Sequence, residues 1–324
     1  TGYKPIERVA KHITESLSDK NHNETLDWLI AQQFIPSYFN QIPEMLNALP
    51  KGKNDSQNRT IVGGGTDLYV QKHDQLIDQN VDLISNTPNL NFIEIENGVC
   101  TLGAGTTATD LIESDIFCSA IPRLKKHLKL VASSPIRNMA TIGGNFVNAS
   151  PIGDFTAFFL ALNAKIKLTN KGQNRTIYLK DFYKGYKDLD KSPDEIVSTI
   201  SFKLPTQDNH FNFEKVSKRI HLDIASVNTA IQLTVSENKI TQVHLSAGGV
   251  GPIPMYLGKT CDFLMDKVLS PETVQSGNEI IQTEINPISD VRGSADYKRL
   301  LLRQLFYAHF ITLFPNQFTL DSFI

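Results

Sequence analysis

Thr141-Ile142-Gly143-Gly144-Asn145-Phe146-Val147-Asn148-Ala149-Ser150-Pro151-Ile152-Gly153-Asp154-Phe155 is the stretch whose reading decides the fold. It is too poor in bulky side chains to be core. Gly143 and Gly144 let backbone approach a ligand closely, and amides in such a turn can cradle phosphate oxygens. Asn145, Asn148 and Ser150 add side-chain donors, and Asp154 can accept from a ligand hydroxyl. Residues 156–162 are apolar enough for a buried helix, which places Asp154 near a helix N-terminus. Upstream, Thr60-Ile61-Val62 reads as a short strand running straight into Gly63-Gly64-Gly65-Thr66-Asp67. A glycine pair alone is most often a plain turn. Two such loops, each flanked by apolar strand-like runs, point to a large cofactor that carries phosphate.

Composition narrows the classes of partner. The chain has 324 residues, 40% apolar and 20% charged, which suits a globular protein with more than one core. A net charge of -2 argues against nucleic acid as the main partner. The densest basic cluster, Arg123, Lys125, Lys126 and Lys129, is interleaved with Leu124, Leu128 and Val131 and reads as the solvated side of an amphipathic helix. Cys100, Cys118 and Cys261 form no C-x-x-C pair, so they read as reduced thiols of a cytoplasmic protein and cannot hold an iron–sulfur cluster. The histidines show no metal-ligand spacing, and no apolar run of membrane length is present.

Along the chain, one short helix and a polar linker (Ser16 to Thr25) come first. Phe34 to Leu49 reads as a strand leading into a helix with Pro43 in its first turn, and Pro50 to Asn58 as a polar loop. Val99 to Leu102 predicts a strand, followed by a turn at Gly103-Ala104-Gly105 and a helix from Thr109. Lys165 to Thr169 alternates as a half-buried strand does. Leu204 to His210 is a polar, Pro-bearing domain boundary. Beyond it, Ile231, Leu233 and Val235, a turn at Ser236 to Lys239, then Ile240, Val243 and Leu245 predict an antiparallel hairpin. One helix begins at Ser270-Pro271, and another is capped by Ser294 with Tyr297, Leu300, Leu301, Leu305 and Ala308 on its core stripe. Two tempting motifs fail. Gly103-Ala104-Gly105-Thr106-Thr107-Ala108 matches G-x-G-x-x-A, but the region where a ribose-binding acid belongs is basic, and Gly258-Lys259-Thr260 lacks the upstream glycine of a P-loop.

Ile61 to Leu68, and Ala140 to Asn145 through Ser150-Pro151-Ile152-Gly153-Asp154, together resemble the FAD-binding subunit of molybdenum hydroxylases, and within that family the small subunit of bacterial xanthine dehydrogenases. The resemblance continues through Lys215 to Arg219, Asp223-Ile224-Ala225, Ala247 to Val250 and Asp290 to Ser294. It implies an α+β architecture. A linker and helix over 1–33 would follow a [2Fe-2S] domain, since Thr1 to Ile6 resemble the residues just after that domain's last cluster-binding cysteine. A two-lobed FAD-binding domain of the vanillyl-alcohol-oxidase/PCMH type would span 34–205, and a C-terminal α+β domain of the CO dehydrogenase flavoprotein type 206–324. FAD would be held by Thr60, Ile61, Val62, Gly63, Gly64, Gly65, Thr66, Asp67 and Leu68 at the pyrophosphate, with Thr141, Ile142, Gly143, Gly144 and Asn145 opposite. Asp154 would hold the adenosine ribose, Val197 would lie beside the adenine, and Lys215 near the flavin.

The resemblance also implies electron transfer from [2Fe-2S] clusters to NAD, a molybdopterin-binding large subunit as partner in a hetero-oligomer, and no membrane or nucleic-acid partner. Val131 stands where the family often has a ring-stacking Phe, and Leu222 where mammalian members carry an acid. Gly185-Tyr186 matches a pair near the nicotinamide site. Two other readings stay open: a stand-alone flavin-dependent oxidase or reductase of the same fold, and a nucleotide-binding structural subunit.

Overall fold

The computed structural model describes residues 3–17, 25–48, 59–85, 87–206 and 208–323. Most of the polar stretch at 16–25 and all of the loop at 50–58 lie outside them. The chain divides into two compact bodies, residues 1–57 and 58–324. The first holds helices α1 (Tyr3–Leu17), α2 (Thr25–Ala31) and α3 (Ile42–Ala48), with a 3-10 turn at Ser37–Gln41. No strand forms at Phe34. Pro36 withholds a backbone donor and flanks that 3-10 turn instead, and Pro43 does fall in the first turn of α3.

The larger body opens with a parallel pair, β1 (Arg59–Val62) against β2 (Asn80–Leu83), with short helices α4 (Leu68–Gln71) and α5 (His73–Leu76) between them. β3 (Ile93–Glu96) and β4 (Val99–Gly103) follow, then a helical run: α6 (Ala108–Glu113), α7 (Asp115–Ala120), α8 (Leu124–Lys129), α9 (Ser134–Met139), α10 (Ile142–Asn148) and α11 (Asp154–Ala161). Strands β5 (Lys165–Asn170), β6 (Gln173–Tyr178), β7 (Tyr183–Gly185), β8 (Asp188–Leu189) and β9 (Ile196–Lys203) complete the first half. Five strands form an antiparallel sheet in the order β3-β4-β9-β5-β6. Ile166 and Leu168 bury as their alternation requires.

The second half is β10 (Asn209–Val216), β11 (Val227–Ser236), β12 (Lys239–Gly248), β13 (Met255–Tyr256), α12 (Gly258–Leu264), α13 (Pro271–Glu284) and α14 (Ala295–Leu313). Its four strands lie in order, each antiparallel to the next. α11 packs on β11 and β12, while α14 packs on β10 and β11. Covered on both faces, β11 is buried from Val227 to Leu233 without alternation. Both expected cores exist, one around Phe117, Phe146, Phe158 and Phe159 and the other around Phe306, Phe310 and Phe318, and they belong to one compact body.

The register of α14 differs from the expected stripe. Tyr297 and Leu300 are exposed, and the buried arc carries Lys298, Leu301, Leu302, Leu305, Phe306, His309 and Phe310. Lys298 can be buried because its ammonium donates to Asp290 at 2.8 Å and to the Ile288 carbonyl at 2.9 Å. Gly258-Lys259-Thr260 starts α12, and the amides of Lys259 and Thr260 are taken by Glu284. No phosphate could use them. No helix among the described residues is long and apolar enough to cross a membrane.

Candidate functional site: a cleft between two glycine loops

The end of β1 and the start of α10 meet beside a cavity of about 640 Å³, within the range of roughly 300–1,000 Å³ typical of ligand sites. Ile61 to Leu68 line one wall, and Ala140, Thr141, Gly143, Gly144 and Asn145 another. Pro193, Ile196 and Val197 add an apolar side, while Lys72, Lys187 and Lys191 bring positive charge. Of the residues expected at the site, Thr60, Ile142, Asp154 and Lys215 do not line this cavity. Thr60 bonds Gln79 at 2.7 Å, and Ile142 is fully buried in the core.

The two glycine loops are not equivalent. The amides of Ile142, Gly143, Gly144 and Asn145 already donate to Thr106 O, Ala104 O, Thr141 Oγ1 and Thr141 O, as an N-capped helix start requires. The amides from Gly63 to Leu68 find no acceptor among the described residues. A run of free N–H groups between a strand end and a short helix is an anion-binding nest. The first loop therefore has donors free for an anion, whereas the amides of the second are spent within the fold.

Each glycine has its own reason. A Cβ on Gly64 would lie 1.5 Å from the Met139 carbonyl oxygen, and one on Gly143 2.6 Å from the Ala104 Cβ, so both serve backbone packing. Gly63 and Gly144 instead face each other over the Thr141 hydroxyl, which their added Cβ atoms would meet at 2.5 and 2.7 Å. Gly65 needs its left-handed φ of +69°. Gly103 and Gly105 admit the Leu90 carbonyl rather than a ligand. Free amides, close-set glycines and a cavity of this volume fit the pyrophosphate of a dinucleotide cofactor.

Asp154, expected at the ribose, lies outside the cavity lining. It begins α11 at the seam with the C-terminal sheet, where its carboxylate accepts from Lys215 Nζ at 2.7 Å and from Asn228 Nδ2 at 2.6 Å. Each oxygen thus accepts one hydrogen bond and keeps a further lone pair. Burial raises its pKa, against the pull of the Lys215 charge and hydrogen bond. The Lys215 ammonium also donates to Leu130 O at 2.8 Å. The structure thus gathers Leu130, Asp154 and Lys215 at the seam, apart from the lining residue Val197. Val131 is buried in the first core, and Leu222 is exposed on the β10–β11 loop with φ +58°. The seam is joined to the cleft through Thr156 Oγ1, which donates to Asn145 Oδ1 at 3.2 Å.

Sequence reading missed the cleft's cationic side. Lys191 and Pro193 ride on a loop fastened by Arg175, which donates to Glu195 at 2.7 and 2.9 Å and to Asp190 at 3.1 Å and at its carbonyl at 2.8 Å. Those hydrogen bonds, with one from the Ser192 amide, hold the Glu195 carboxyl down at about 2. The only available signal was the density of lysines around Gly185-Tyr186.

A nest over a cleft with an apolar side and basic side chains, carried by a parallel strand pair in a body with two antiparallel sheets, defines an α+β protein suited to a phosphate-bearing cofactor. The family described as the FAD binding domain in molybdopterin dehydrogenase matches residues 32–206, and the CO dehydrogenase flavoprotein C-terminal domain matches 212–313. The chain belongs to this FAD-binding family of molybdopterin dehydrogenases, the FAD-containing part of oxidoreductases of the molybdenum hydroxylase type.

The chain is 28% identical over 253 residues to the glyceraldehyde dehydrogenase medium chain of Sulfolobus acidocaldarius, covering 78% of this chain and 89% of that one. It is 24% identical over 292 residues to xanthine dehydrogenase 1 of Arabidopsis thaliana, covering 85% of this chain but only 21% of that longer protein. A carbon monoxide dehydrogenase chain from Hydrogenophaga pseudoflava superposes with a TM-score of 0.72 at 25% identity, over 77% of this chain and 87% of its own.

Proposed function

We propose that the chain is the FAD-binding electron-transfer subunit of a xanthine dehydrogenase-type molybdenum hydroxylase, with NAD as its acceptor. Its partners would be a [2Fe-2S] domain and a molybdopterin-binding large subunit. The observation that carries the FAD part is the row of free amides from Gly63 to Leu68, which line the cleft beside Thr141 and Gly144. Those amides would hold the pyrophosphate, and Ile196, Val197 and Pro193 offer an apolar wall for an adenine. Asp154 and Lys215 would act from the seam, fixing α11 against the C-terminal sheet. FAD, when bound, supplies the exchange between one-electron donors and a two-electron acceptor, while the protein orients the ring and sets its potential. The relatives named as medium chains support the multi-subunit reading, and Gly185-Tyr186 supports NAD.

Reconstitution with FAD should quench flavin fluorescence stoichiometrically. Gly63→Val should weaken that binding by on the order of a hundredfold and lower the unfolding midpoint less than a substitution at Gly64, because its Cβ meets the Thr141 hydroxyl at 2.5 Å rather than a backbone carbonyl. Gly64→Ala should instead lower stability by several kcal/mol, since its Cβ overlaps a backbone carbonyl that cannot turn aside. Normal FAD binding by the Gly63 variant would mean the nest holds something else. The acceptor is tested by stopped-flow reoxidation of the dithionite-reduced holoprotein, with NAD and air-saturated buffer in separate runs. Fast reoxidation by NAD is expected. Fast reoxidation by oxygen alone would sink the dehydrogenase reading and favour a flavin oxidase.

A further inference from the structure

None of the cleft's three lysines, Lys72, Lys187 and Lys191, makes an ion pair with a carboxylate among the described residues. Asp67 and Glu195 are the carboxylates in the lining; Asp67 accepts from Gln71 Nε2 at 2.6 Å, and Glu195 is occupied by Arg175 and the Ser192 amide. Lys187 donates to the carbonyl and, at 3.1 Å, to the side-chain oxygen of Asn148, at the C-terminal end of α10. Lys191 donates to the Ser192 carbonyl at 2.9 Å. Neither makes an ion pair among the described residues.

Their placement is specific. Lys187 sits at the tip of the β7–β8 hairpin with φ +59°, a left-handed backbone that Gly or Asn adopts more readily. Its side chain, rather than the turn, accounts for the residue there. The α10 helix it braces is the one whose start carries Thr141 and Gly144. Lys191 rides on the loop that Arg175 fastens, so its ammonium is held beside the cavity rather than left to roam. Burial lowers the pKa of Lys191, against the opposing pull of the Glu195 and Asp194 charges, neither of which it pairs with directly.

We infer that Lys187 and Lys191 form a cationic clamp that closes on the phosphates of the cleft's dinucleotide from the side opposite the Gly63–Leu68 amides. The inference rests on the proposed cofactor reading and deepens it. The amides supply directional hydrogen bonds, while the two ammoniums neutralise the charge and make binding depend on salt.

The test titrates wild type, Lys187→Ala, Lys191→Ala, the double variant and Lys191→Arg with FAD, ADP and riboflavin, at low and at high ionic strength. The double variant should bind FAD and ADP at least roughly tenfold more weakly at low salt, with the difference shrinking at high salt and riboflavin unaffected. Lys191→Arg should retain most of the affinity. Unchanged FAD and ADP binding, or an equal loss for riboflavin, overturns the clamp. Wild-type protein that binds ADP but not FAD removes the flavin reading, and the clamp is then decided on the ADP series. Binding of none of the three overturns both.

Discussion

Asp154→Ala is expected to destabilise the protein by about 3–5 kcal/mol, because it strands a cation in the interior. The Lys215 side chain is 2% exposed and that of Asp154 13%, and their 2.7 Å contact joins the N-terminus of α11 to β10. Removing the carboxylate leaves the ammonium with one carbonyl, Leu130 O, and leaves the Asn228 amide with Ile152 O alone. Replacing both partners by apolar residues of similar volume, Asp154→Leu with Lys215→Met, should restore most of the loss, since a buried ion pair gains little over a well-packed apolar pair. Urea denaturation of the single and double variants measures this directly. A single variant within about 0.5 kcal/mol of wild type would mean the pair is solvated and not a seam contact. Flavin retention separates this role from that of a ribose ligand. A ribose ligand would lose flavin at unchanged stability, whereas a seam contact loses flavin in step with unfolding.

Both glycine loops could be read from sequence, because glycine beside strand-like runs reports a backbone requirement that no partner has to supply. What could not be read is what each loop does. The Gly143 and Gly144 amides are spent on Ala104 and on Thr141, and only the fold brings Ala104 there. The same limit hid the Asp154–Lys215 pair, whose members lie 61 positions apart in the chain. Lys187 and Lys191 looked like ordinary surface lysines until the β7–β8 hairpin and the Arg175-bound loop brought them to one cavity. In α14 the stripe shifted because Lys298 and His309 count as polar in any periodicity, yet both are buried with partners that come from other segments. Apolar pattern located the helices and sheets well. Where polar atoms find each other is a property of the assembled body.

Acid should destabilise this protein through neutral histidines, of which His309 and His127 are the most buried and His244 is also held down to about 4. His309 is wholly buried between α14 and the sheet, with Nδ1 3.0 Å from the Asn212 amide nitrogen and Nε2 3.3 Å from Thr229 Oγ1. That amide nitrogen is a donor which also serves Glu214, so protonating Nδ1 would set donor against donor. Burial pushes the His309 pKa down to about 3, with the nearby His127 adding to the shift. His127 lies on the opposite side of β10 with its ring near Phe211 and Phe213, and its Nε2 has no partner. Burial first, then Arg123 and Lys126, lower its pKa to about 4. The unfolded chain protonates both near pH 6.5. From 6.5 downward it therefore binds protons that the folded chain refuses, and stability falls until the folded rings titrate. At about 1.4 kcal/mol per pH unit and per ring, the loss by pH 4 is on the order of 6 kcal/mol, comparable to the whole stability of many domains. Asp154, whose pKa is raised by burial, acts with the opposite sign, so the comparison that decides is between wild type and His127→Phe, in which that contribution cancels. The difference in their unfolding free energies should change by about 3 kcal/mol between pH 7 and pH 4, the wild type losing more. Parallel pH curves for the two proteins would show that His127 is hydrated in the folded state.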